Sequence, residues 1–258
     1  PWNYPLTLAI SDAIPAMMAG NCVVVKPDLQ TTLSALWIAD LLQRAGLPPG
    51  VFTVVAGEGS VVGPLVIDRS DYVMFTGSTA VGRRVAARCG ELLIGCSMEL
   101  GGKNAMIVRG DADIAAAAAL ACRASFSNSG QLCISMERIY VDQSIVDEFL
   151  DAFARRTQAL RMSAQIGWGA DVGSLMSLRQ RDRVAAHVEN AVTLGADVIV
   201  GVNPDRTSDR ISLNPPFSPE CTKTCMSAVL KPSDPWCRCI RWARMLRLLP
   251  GPTTLSTA

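Results

Sequence analysis

Only one histidine, His187, occurs in the chain, so no metal centre built from several histidines is available to it, and His187 has no partner to make a triad. It lies in a run with helical periodicity and reads as structural or solvated. Charge of one sign is missing too: 24 basic and 23 acidic residues leave a net charge of +1, with no basic block or stripe. That argues against a nucleic-acid surface. Apolar stretches are broken by charge or glycine well short of a membrane span. The nine cysteines show no paired metal-type spacing in the first two hundred residues. An odd count of this kind reads as free thiols in a reducing cytoplasm. No internal repeat is present. A leader peptide is not expected, because Pro1-Trp2-Asn3 opens directly into a motif. The absence of an initial Met suggests a fragment.

What is present is ordinary globular material: 258 residues, 49% hydrophobic and 18% charged, long enough for two domains. Short apolar runs alternate with helical periodicity. Cys22 to Val25, Phe52 to Val55 and Tyr72 to Phe75 read as buried strands, followed respectively by helices over 32–44, 61–67 and 79–93. Asn104 to Val108 and Arg138 to Val141 read as strands flanking an Ala-rich helix over 111–126, with acidic residues in its first turn. Helices over 144–160 and 178–194 follow, then a strand over 196–200. This alternation predicts an α/β fold with a parallel sheet covered by helices. After Gly201 the character changes. The last 57 residues hold eight of the fifteen prolines and four of the nine cysteines, with a basic helix near 241–249 as the one periodic stretch. This tail, 202–258, is left unassigned; its excess of Pro, Cys and Arg has the look of out-of-frame translation.

The most informative run is Ser129-Gly130-Gln131-Leu132-Cys133, placed after the turn that closes the Ala-rich helix. Glu99 lies 34 residues earlier, in Met98-Glu99-Leu100-Gly101-Gly102-Lys103. A thiol nucleophile and a carboxylate base are the minimal groups for covalent catalysis at a carbonyl. The alternative for Cys133 is a buried structural thiol, and for Glu99 a surface carboxylate, against which the apolar flanks Met98 and Leu100 argue. Burial beside Leu100 and Gly101 would raise the Glu99 pKa toward the range of a base.

Taken with Pro1-Trp2-Asn3-Tyr4-Pro5, Val25-Lys26-Pro27 and Phe75-Thr76-Gly77-Ser78 with Gly82, these segments resemble the aldehyde dehydrogenase superfamily over roughly residues 1–201. The resemblance implies a Rossmann-type parallel-sheet cofactor domain over 1–100 and an α/β catalytic thiol domain over 101–201, both partial. It implies Cys133 as nucleophile, Glu99 as general base and Asn3 as oxyanion donor beside the Cys133 N–H. Trp2 and Asn3 would line the nicotinamide side and Leu100 would pack against it. The loop Lys26-Pro27-Asp28-Leu29 would meet the cofactor ribose at the carboxyl end of a strand. Gly77 and Ser78 would open a helix toward the pyrophosphate. NAD-preferring relatives place Glu where this chain has Leu29, so the missing carboxylate favours NADP, with NAD the alternative.

The segment Lys26-Pro27-Asp28 with Gln30 to Leu36 resembles NADP-linked succinate-semialdehyde dehydrogenases, although Ser11 stands where some of them carry a carboxylate-gripping Arg. The expected partner is a small aldehyde, with neither nucleic acid nor membrane. The family's Glu-x-Phe-Gly-Pro segment, which holds the nicotinamide ribose, finds no match, and the family's homo-oligomer is disfavoured because the pairing segments are missing. Two further readings stand beside this one: a non-catalytic truncated remnant, and a cofactor-free thiol hydrolase using Cys133 and Glu99.

Overall fold

The structure, a computed structural model, describes residues 1–163 and 167–200 and the backbone of two strands, Ala228–Lys231 and Cys237–Trp242. The chain divides into two units, Pro1–Gly102 and Lys103–Ala258.

The first unit opens with two short helices, α1 (Pro5–Ile10) and α2 (Ala13–Met18), neither expected from periodicity. Strand β1 (Val23–Val25), helix α3 (Thr32–Arg44) and strand β2 (Phe52–Val54) form a parallel β-α-β unit, with Val23 opposite Phe52 and Val25 opposite Val54. Helix α4 (Gly59–Ile67) leads to β3 (Tyr72–Gly77), α5 (Thr79–Leu92) and β4 (Gly95–Leu100), a second parallel unit in register from Tyr72/Gly95 to Gly77/Leu100. The two strand pairs form separate two-stranded sheets. Parallel pairing needs a crossover helix, which the intervening 13- and 14-residue helices supply. The core here is small: Ala13, Ile38 and Phe52 are buried, packed by Ile10, Val23, Val25, Leu42 and Val54.

Helix α5 shows why its motif contains Gly82. A Cβ at that position would come 2.6 Å from Leu100 Cδ2 and 3.5 Å from Phe75 Cε1, so any larger residue would have to push the Leu100 side chain aside for the helix to lie this close to the strands. The close helix–strand approach is the general reason for a glycine one turn into such a helix. The far end of α5 closes on Leu93 in the left-handed region (φ 56°), with the Ile94 N–H donating to the Cys89 carbonyl at 3.1 Å.

The second unit contains β5 (Ala105–Val108), α6 (Ile114–Phe126), β6 (Arg138–Asp142), α7 (Val146–Gln158), α8 (Leu178–Thr193) and β7 (Asp197–Val200), joined by β8 (Ala228–Lys231) and β9 (Cys237–Trp242). Its five strands run in the order β5-β6-β9-β8-β7. Only β5 and β6 pair in parallel; β6/β9, β9/β8 and β8/β7 are antiparallel, so the expected parallel sheet becomes a mixed one. Arg241 and Trp242 lie in β9, so the helix expected near 241–249 does not begin there, and 243–249 lie outside the described residues.

Helix α6 begins three residues later than its acidic run suggests. Asp113 is its N-cap, accepting the Ala116 N–H at 3.0 Å, and no acidic residue lies in the first turn. The small residues Ala117, Ala118 and Ala121 let α6 approach α7, where Phe149 and Phe153 are fully buried. Phe153 stacks on Phe149 at 5.8 Å and on Phe126 at 6.2 Å between ring centroids. Helix α7 carries Asp147 and Glu148 in its first turn and Arg155 and Arg156 in its last, as the helix dipole favours.

Candidate active site

Cys133 sits on the segment between α6 and β6, in the second unit. After Phe126 the chain passes through three successive residues at positive φ: Asn128 (52°), Ser129 (58°) and Gly130 (69°). Two of these are not glycine, and each left-handed non-glycine residue costs on the order of 1–3 kcal/mol unless its surroundings over-determine it. Here they do. The Ser129 hydroxyl donates to the Gly173 carbonyl at 2.8 Å. Gln131 is buried; its Nε2 donates to the Asn128 and Ser174 carbonyls, at 3.2 and 3.4 Å, and its Oε1 accepts the Met176 N–H at 2.8 Å. Beyond the cysteine, the Ser135 hydroxyl donates to the Ser125 carbonyl at 3.1 Å and the Met136 N–H to that of Ala124 at 3.2 Å.

The result is an exposed thiol on a tied-down turn. The N–H groups of Gln131, Leu132, Ser135 and Met136 all have protein acceptors. Those of Cys133 and Ile134 have none among the described residues. Unpaired, fixed N–H groups beside a nucleophile are what a tetrahedral oxyanion needs. Two other thiols contrast with this one. Cys89 and Cys122 are buried, and burial pushes both thiols above their ordinary pKa, away from the reactive thiolate.

Glu99 and Asn3 belong to the first unit. Glu99 lies on β4 opposite Thr76 and is exposed; the burial expected from its apolar flanks is not found. The reason is strand alternation. Leu100 turns its side chain onto Gly82 of α5, so its neighbour Glu99 points away from that helix. Leu100 thus already has an intramolecular partner. Trp2 and Asn3 are half-buried just ahead of α1, and Ser11 closes that helix, its N–H donating to the Thr7 carbonyl at 2.9 Å.

The loop 26–29 follows the carboxyl end of β1. The half-buried Lys26 donates from Nζ to the Pro27 carbonyl at 2.8 Å. A Cβ on Gly59, the first residue of α4, would stand 3.8 Å from the same Nζ, so the ammonium lies beside that helix start. Pro27 is buried. Asp28 caps the short turn over 29–31, accepting the Gln30 N–H at 2.9 Å, and Leu29 is exposed. Gly77 ends β3 and Ser78 caps α5, its hydroxyl accepting the Val81 N–H at 3.4 Å.

A phosphorylated dinucleotide suits this donor set. A cation beside a helix start, and a second capped helix start, both favour anions, and no carboxylate stands at Leu29 to repel one. Among the described residues no group of three or more His, Cys, Asp or Glu could hold a metal ion, and no helix is long and apolar enough to cross a membrane.

Two site features were not legible as such. Asn104 and the Lys103–Glu137 ion pair both bind the segment around Cys133 to the start of β5. The one trace in the sequence is the pair of polar residues, Lys103 and Asn104, immediately ahead of an apolar strand.

Parallel β-α-β units in one half and an exposed thiol on a strained turn in the other define an α/β protein. The chain belongs to the aldehyde dehydrogenase family, whose pattern it matches over residues 1–219, past the end near 201 that the motifs marked. It is 54% identical over 203 residues to a Mycolicibacterium smegmatis protein named "Putative succinate-semialdehyde dehydrogenase, NADP(+)", covering 79% of this chain and 39% of that protein. It also resembles the crystal structure of an Escherichia coli NADP-dependent enzyme (TM-score 0.76, 35% identity, 78% of this chain and 42% of that one). The crystal structure of an aldehyde dehydrogenase from Brucella melitensis is similar with the same TM-score, 0.76, at 35% identity, covering 78% of this chain and 42% of that one. The chain thus spans about two fifths of the length of the relatives it matches.

Proposed function

We propose that this chain takes part in the oxidation of succinate semialdehyde to succinate with NADP, through a covalent bond to Cys133. The observation that carries this reading is the exposed Cys133 on a strained, tied turn, with N–H groups at 133 and 134 that have no acceptor among the described residues. The Cys133 thiolate attacks the aldehyde carbon, and the resulting oxyanion is held by the Cys133 N–H and the Asn3 amide. Bound NADP supplies the hydride acceptor. Loss of hydride leaves a thioester on Cys133. Glu99 takes a proton from water, whose oxygen attacks the thioester and releases carboxylate and thiol. Lys26, Asp28 and the Ser78-capped start of α5 would hold the ribose and phosphates of NADP, and Trp2 and Leu100 would serve its nicotinamide end. The name of the M. smegmatis relative supports both the semialdehyde and NADP. Free thiols at Cys22, Cys89, Cys96, Cys122 and Cys133 support a reducing compartment, the cytoplasm.

The test is NADPH formation from succinate semialdehyde by the purified chain, with NAD in parallel. Turnover is expected with NADP over NAD, abolished in Cys133→Ala. In Glu99→Gln a first burst of NADPH is expected without steady turnover, as acyl-enzyme accumulates. A folded chain that binds NADP yet forms no NADPH would overturn the reading in favour of a non-catalytic remnant. Ester hydrolysis at Cys133 indifferent to NADP, without aldehyde oxidation, would favour a cofactor-free thiol hydrolase.

A further inference from the structure

The turn bearing Cys133 is gripped by three side-chain amides, of which Gln131 and Asn128 act from within the turn itself, upstream of the cysteine. The third is Asn104, at the foot of β5. Its Nδ2 donates to the Cys133 carbonyl at 2.6 Å and to the Ser135 carbonyl at 3.0 Å. An amide nitrogen carries two hydrogens, so both are used on this one turn. The Asn104 main-chain carbonyl accepts the N–H groups of Glu137 and Arg138, each at 3.1 Å. One residue therefore holds the segment from 133 to 138 with both its side chain and its backbone.

Peptide planarity shows what this grip does. In a trans peptide the carbonyl of one residue and the N–H of the next point in opposite directions. Pinning the Ser135 carbonyl to Asn104 sends the Met136 N–H the other way, and it meets the Ala124 carbonyl at 3.2 Å. Pinning the Cys133 carbonyl likewise turns the Ile134 N–H away from Asn104, and that N–H has no acceptor among the described residues. We infer that Asn104 is a positioning residue for the covalent step: it fixes the 133–134 peptide plane that follows the nucleophile, so that the Ile134 N–H is oriented before the oxyanion forms. This inference rests on the reading of Cys133 as nucleophile. Preorganised donors need no rearrangement when charge develops, which is why losing one costs so much rate.

The experiment compares two reactions of the same thiol in the same chain. Acylation by p-nitrophenyl acetate forms the Cys133 thioester and releases p-nitrophenol through a tetrahedral oxyanion. Alkylation by iodoacetamide forms a carbon–sulfur bond and releases iodide with no oxyanion. Asn104→Asp keeps the shape but replaces two donors by a carboxylate facing two carbonyl oxygens. Acylation is expected to fall about tenfold or more, while alkylation of Cys133 at the same pH changes far less. Equal loss of both, or loss of neither, overturns the inference, since a merely structural role moves both together. If the Asp variant does not fold, Asn104→Ala is read in the same way. Wild-type chain that is alkylated at Cys133 but never acylated there refutes the nucleophile reading itself, a result distinct from an unaffected Asn104 variant.

Discussion

The N-terminal unit leaves exposed the kind of side chain that the C-terminal unit buries. On α3, Leu33 is 81% and Trp37 51% exposed, whereas Phe149 and Phe153 on α7 are 0% and 1%. The backbone differs in parallel. In the N-terminal unit the candidate cofactor contacts sit at unstrained places: Asp28 and Ser78 are extended N-caps whose side chains accept the Gln30 and Val81 N–H groups. In the C-terminal unit the thiol rides on residues at positive φ, fastened to α6 and to 173–176 by side-chain hydrogen bonds. A strained turn persists only where its neighbours over-determine it. The segment 173–176 and the end of α6 provide those neighbours.

The strongest way to break this comparison is to hollow both cores. Phe153→Ala is expected to destabilise by about 3–5 kcal/mol, because it removes the ring that stacks on both Phe126 and Phe149. Phe52→Ala, in the smaller cluster, is expected at or below the low end of that range. Urea unfolding followed by circular dichroism measures both, and equal losses would contradict the contrast. Next in size is Gln131→Ala. It strips partners from Met176, Ser174 and Asn128 and is expected to cost about 1–3 kcal/mol. Acylation of Cys133 should fall with it while the secondary structure stays intact; unchanged stability would mean that the strained turn does not depend on that amide.

The smallest effect concerns pH. Burial, then the nearby Arg183 and Lys103 charges, hold the His187 pKa below its ordinary 6.5, and its Nδ1 has no hydrogen-bond partner among the described residues. The unfolded chain therefore binds this proton more readily than the folded one. Stability is full above the unfolded value and declines as pH falls through it toward the lower folded value. His187→Gln should flatten that decline as pH falls below about 6.5; an unchanged slope would assign it to other groups.

How much was legible depended on whether a signal was local. Strands β1 and β2 and helix α3 were readable, because Val-rich runs and a 3.6-residue apolar period lie within short windows. Strand β4 was not: Gly95 to Leu100 contains no β-branched residue, and only pairing with β3 makes it extended. Helices α1 and α2, six residues each and with Pro15 inside the second, are too short to signal by period. The antiparallel partners β8 and β9 had the same disadvantage amid a Pro- and Cys-rich tail.

By itself the sequence determined the chemistry on offer: a thiol after a helix-ending turn, glycines where a helix must approach a strand, a lysine and a capping serine at the ends of parallel strands. Those are properties of residue type and local spacing. Only the tertiary structure decided that Glu99 faces outward while Leu100 meets α5, that Gln131 is buried, and that Asn104 reaches a carbonyl 29 residues along the chain. That reach exists because Ala105 pairs with Arg138 when β5 and β6 align. Pairing between distant strands depends on closing the chain between them, and no local window of sequence contains it.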